Sequence, residues 1–65
     1  MCLSTVYIGA KTDANIVVRE ANLVEAENNS VVVADLFGER RTFQDCVIKA
    51  VDLSGGHVIL EKQSE

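Results

Sequence analysis

Hydrophobic positions along this chain fall at strand spacing, in short blocks divided by small and polar residues. Ser4-Thr5-Val6-Tyr7-Ile8 is rich in β-branched and aromatic side chains, the composition of a strand. Gly9 to Asn15 is small and polar and reads as a loop. Ile16-Val17-Val18 opens a second strand and Leu23-Val24 a third, which ends at the turn cluster Asn28-Asn29-Ser30. Ser30 to Leu36 holds Val31-Val32-Val33, the mark of a strand buried on both faces. Gly38 marks a turn and Arg41-Thr42-Phe43 a short return strand. Cys46 to Leu53 is the longest alternating run; Ser54-Gly55-Gly56 is a hairpin turn, and His57 to Glu61 pairs back across it.

Asn15 to Glu27 also tolerates a helix through Ala21, Leu23 and Glu25. The consecutive β-branched Ile16, Val17 and Val18 favour a strand. Six or so short strands at close spacing predict an all-β fold, a small barrel that also removes exposed edges. At 65 residues the chain is one domain, 1–65. A domain this small buries roughly 60% of its unfolded surface. Apolar burial at about 25 cal/mol/Å² then nearly cancels an ordering cost of about 1.5 kcal/mol per residue. A lone copy is marginal, and a symmetric homodimer is the simple remedy.

Hydrophobic residues at 48% and charged residues at 25% are ordinary for a globular protein. No apolar run approaches the ~20 residues of a membrane span, and no basic-then-apolar leader opens the chain. The expected compartment is the cytoplasm, where two cysteines serve as thiols or ligands rather than as a disulfide. The net charge of −4 and the scatter of the six basic residues disfavour nucleic acid as a partner.

Cys2 is the one residue whose place in the chain changes its chemistry. Initiator methionine is commonly removed before a small residue, which leaves a terminal cysteine with a free amine and a thiol. Those groups close a five-membered chelate ring on a metal ion. If Met1 stays, its amine, the Cys2 amide and the thiolate chelate in adjoining rings. One such chelate leaves the coordination sphere incomplete, and two copies of the chain supply two nitrogens and two sulfurs. Nickel(II) with those donors favours a square plane and zinc a tetrahedron, with copper(II) a strong competitor. The plain alternative is an inert residue near the chain end.

Other candidates have simpler readings. Cys46 lies beside Val47 and Ile48 and reads as a buried small hydrophobe. His57 has no second histidine to act with and reads as a surface or hairpin-end residue. Asp35, Glu39, Asp45 and Asp52 are not spaced two apart on one strand, so they read as solvated charges and turn formers. Arg40-Arg41 beside Phe37 and Phe43 is a candidate RNA patch, since aromatics on a barrel stack bases. Core phenylalanines and a small electrostatic footprint are the competing reading. No phosphate-cradling loop, CxxC or catalytic triad motif is present, which points to a binding protein rather than an enzyme.

Three segments together resemble the CooT family of small nickel-binding proteins. They are Met1-Cys2-Leu3, Asp35-Leu36-Phe37-Gly38-Glu39, and Val51-Asp52-Leu53 followed by a glycine turn and Val58-Ile59-Leu60. The likeness spans nearly the whole chain. It implies a small SH3-like antiparallel β-barrel, a homodimer, and a nickel ion (Ni2+) held through Cys2 alone. For some members it implies a link to nickel supply for carbon monoxide dehydrogenase, hence a nickel enzyme or its maturation factors as partners. Related sequences are also labelled as predicted RNA-binding proteins, which keeps a small RNA-binding barrel as the alternative.

Overall fold

The computed structural model describes residues 3–63; Cys2, the residue expected to hold metal, lies outside them. The strands are β1 (Ser4–Ile8), β2 (Ile16–Glu27), β3 (Ser30–Asp35), β4 (Arg40–Gln44), β5 (Cys46–Asp52) and β6 (His57–Lys62), with one 3-10 turn at Asp13–Asn15. They form one six-stranded sheet in the order β4-β3-β2-β1-β6-β5. The class is all-β, as the pattern predicts.

Three details depart from the expectation. First, the second and third predicted strands are one continuous β2. Its ladder slips against β1 between Ser4 and Tyr7, and against β3 between Ala21 and Leu23. Each slip inserts an extra residue, a bulge that bends the strand. Second, β1 and β6 pair in parallel, with Thr5 opposite His57 and Ile8 opposite Leu60, so the sheet is not wholly antiparallel. Third, the barrel does not close: β4 and β5 follow one another through Asp45 but remain the two edges of the sheet. Asp45 turns the chain there at φ 58°, its amide bonded to the Asn29 carbonyl at 2.6 Å.

The curled sheet wraps one core. Val6, Val31 and Leu60 are fully buried, and Val18, Ala21, Val33, Cys46 and Val58 complete the cluster. Strand β3 is buried along most of its length, as its valine run predicts. Val31 and Val33 point into the core. Val32 and Ala34 face the other way and are also buried, at the level where Arg40 of β4 pairs with Glu25 of β2 across the strand at 3.3 Å. Long charged side chains commonly cover small apolar neighbours in this way.

Candidate functional site

The registers bring distant parts of the chain to one end of the sheet. Ser4 pairs with Ala21, and Ala21 pairs with Asp35, the last residue of β3. On the other side Thr5 pairs with His57, and His57 with Asp52. The start of β1 therefore lies between the β3–β4 turn and the β5–β6 turn. Leu3 is where the described chain enters this end. The Thr5 amide donates to the Gly56 carbonyl at 3.0 Å, and a side chain at Gly56 would begin 3.7 Å from the Leu3 carbonyl. Gly56 also has φ +70°, a conformation glycine takes at little cost.

Both turns are built around an aspartate. In the β3–β4 turn the Gly38 amide donates to the Asp35 carbonyl at 3.0 Å and the Asp35 amide to the Glu39 carbonyl at 3.0 Å. Asp35 Oδ1 also accepts the Phe37 and Glu39 amides, at 2.9 and 3.0 Å. Gly38 takes the left-handed position at φ +86°. Asp35 to Gly38 is a four-residue β-turn of the kind that favours aspartate first and glycine last. In the β5–β6 turn Asp52 Oδ1 accepts the Gly55 amide at 2.7 Å and the Ser54 hydroxyl at 3.3 Å. The Gly55 amide, foremost, holds the Asp52 carboxyl below the usual carboxylate range. Desolvation opposes it, and Ser54, His57 and Lys11 assist. Asp35 and Asp52 are turn formers, as the sequence predicts.

His57 heads β6, half-buried, with Nδ1 3.9 Å from Asp52 Oδ2 and its ring edge-on to Tyr7 at 6.0 Å. Cys46 is 2% exposed in the core, as its apolar setting predicts. No three of histidine, cysteine, aspartate and glutamate come together as a metal-binding group among the described residues.

The arginine pair is divided. Arg40 faces outward, 3.3 Å from Glu25. Arg41, its neighbour on an alternating strand, faces the opposite side. There it donates to the Val17 carbonyl at 2.7 Å and lies 6.0 Å from the centre of the Phe43 ring. Both guanidiniums have partners, and they do not make one patch. The phenylalanines separate too. Phe43 packs against the core, but Phe37 is 81% exposed, against the expectation of a core residue. Its place between Asp35 and Gly38 is the missed signal, because central turn positions project into solvent.

A family model described as CO dehydrogenase accessory protein CooT matches residues 1–61. No curated protein matches the chain. Among solved structures, the crystal structure of a Carboxydothermus hydrogenoformans protein assigned as CooT has a similar fold. The TM-score is 0.80 at 16% identity, over 97% of this chain and 100% of that one.

Proposed function

Because the chain belongs to the CooT family of CO dehydrogenase accessory proteins, we propose that it is a nickel-binding accessory protein in the maturation of that enzyme. The metal is cargo, held by Cys2 of each of two copies. The observation that carries this reading is the family match over residues 1–61, which includes position 2. Chemistry supports it. A residue-2 thiolate with an adjoining backbone nitrogen is a compact N,S chelate, and two of them satisfy a square-planar nickel(II) ion. The start of β1 lies at one end of the sheet, where Gly56 brings no side chain against Leu3. The reading puts the protein in the cytoplasm, where thiols stay reduced. It assigns no catalytic step to the chain. The division of Arg40 from Arg41 weighs against the RNA-binding alternative, which needs a concentrated basic footprint.

The test is a nickel titration followed by sulfur-to-nickel charge-transfer absorption, with sedimentation to count copies. Cys2→Ser should abolish tight binding, since a hydroxyl is a poor soft donor. A tag fused ahead of Met1 should lower the affinity and change the spectrum, and its removal to a native terminus should restore both. Binding should weaken as pH falls, because the ligand groups must lose protons. Normal nickel binding by Cys2→Ser would end the assignment at this residue. A well-folded monomer at micromolar concentration would end the shared site.

A further inference from the structure

We propose that the β3–β4 turn is a docking anchor, with Phe37 inserting into an apolar pocket of a partner protein whose rim carries lysine or arginine. Under the reading above, on which this identification of the partner rests, that partner is the client CO dehydrogenase.

The turn is held by Asp35 and Gly38 through backbone bonds, and neither role asks for apolar side chains between them. Leu36 and Phe37 nevertheless occupy those places, 48% and 81% exposed. The Leu36 amide is tied to the Glu20 carbonyl of β2 at 2.9 Å, so the turn is fastened to the sheet on its far side as well. A fixed, exposed aromatic that contributes little to its own fold has the properties of an interface hot spot: large apolar area and few rotors to immobilise.

Charge selects the occupant. Asp35 and Glu39 flank the two apolar residues, and Glu20 stands on the adjoining strand with Arg19 next to it in sequence. The nearby Arg40 is already paired with Glu25. A second copy would bring the same carboxylates against these, on a chain of net charge −4. A basic-rimmed pocket meets them with opposite charge. The turn also sits two strands from β1 in the sheet order, so a contact between copies centred on the start of β1 leaves it available. It lies at the same end of the sheet as that start, so a client gripping Phe37 is brought toward the first residues of β1.

The experiment measures binding of the full-length protein to purified nickel-free CO dehydrogenase by biolayer interferometry, at low and moderate salt. Wild-type protein should bind. Phe37→Ala should raise Kd at least tenfold, with melting temperature, sedimentation and nickel titration unchanged. Glu39→Lys should slow association, most at low salt. Absence of wild-type binding, or Phe37→Ala binding as wild type does, overturns the proposal. Dissociation of the dimer by Phe37→Ala also overturns it, in favour of a second copy as the occupant. The nickel titration of the wild-type protein reports separately on the Cys2 reading, so the two failures are told apart.

Discussion

Replacing Cys46 by serine separates a structural thiol from a ligand. Cys46 opens β5, is 2% exposed, and belongs to the cluster of Val6, Val31, Val58 and Leu60. No buried side-chain nitrogen or oxygen lacks a partner among the described residues. Serine would set a hydroxyl where the protein keeps a weakly polar thiol. Burying such a hydroxyl costs about 1–3 kcal/mol in proteins. A domain of this size has roughly 0.05–0.15 kcal/mol of stability per residue, so the loss is a large fraction of the whole. Each kcal/mol lowers Tm by about 4–8 °C in a small domain. The expected drop is therefore about 4–24 °C, with the urea midpoint falling at unchanged slope. Thermal melts at fixed protein concentration make the comparison fair, because a dimer's Tm depends on concentration. Below its midpoint, Cys46→Ser should bind nickel with wild-type stoichiometry and spectrum. A wild-type melting temperature would refute the burial argument. Loss of nickel by folded Cys46→Ser would refute Cys2 as the sole side-chain ligand.

Leu60→Ala should cost about 2–5 kcal/mol, because it opens a cavity at a fully buried position, whereas Leu53→Ala at an 87% exposed position should stay within about 0.5 kcal/mol; chemical denaturation compares them, and equal costs would contradict the placement of the core. The Asp52 carboxyl is depressed in the folded state, so its contribution is complete above the unfolded pKa and is lost as pH falls through the folded one. NMR shifts of Gly55 and Gly56 should follow that acid titration and should lose it in Asp52→Asn; a Gly55 amide that ignores pH would deny the bond. RNA affinity should be weak at moderate salt and should not depend on Arg40 and Arg41. Tight binding that falls steeply with salt and vanishes in Arg40→Ala/Arg41→Ala would displace nickel as the main function.

The β-branched blocks reveal most of the strands in the sequence alone, because burial on a pleated surface selects those side chains. The region that resembled a helix has a definite cause. Val18 and Ala21 are buried and Val24 is packed against the core, at intervals of three, which is helical spacing. The bulges in β2 produce that spacing within a strand, since each adds a residue to the two-residue period. The parallel pairing of β1 with β6 had no local signal, because it joins segments at opposite ends of the chain. The opposed faces of Arg40 and Arg41 were available from strand alternation alone. Composition alone places Phe37 in the core, whereas its central position in the Asp35–Gly38 turn puts it in solvent. For Cys2 the sequence argument rests on place in the chain and on the family resemblance, and the residue lies outside those the structure describes.

The position of β1 between β2 and β6 sets an order on synthesis. As the chain leaves the ribosome, β1 can pair with β2 early through a short connection. Its other edge stays open until His57 to Lys62 have emerged. Unpaired strand edges invite association with other chains, and non-local pairings of this kind close slowly. A nascent chain that stalls before β6 can pair β1 with β2 while the other edge of β1 stays uncovered. This end of the sheet is thus completed only once β6 has been made, and a chain truncated before β6 should aggregate.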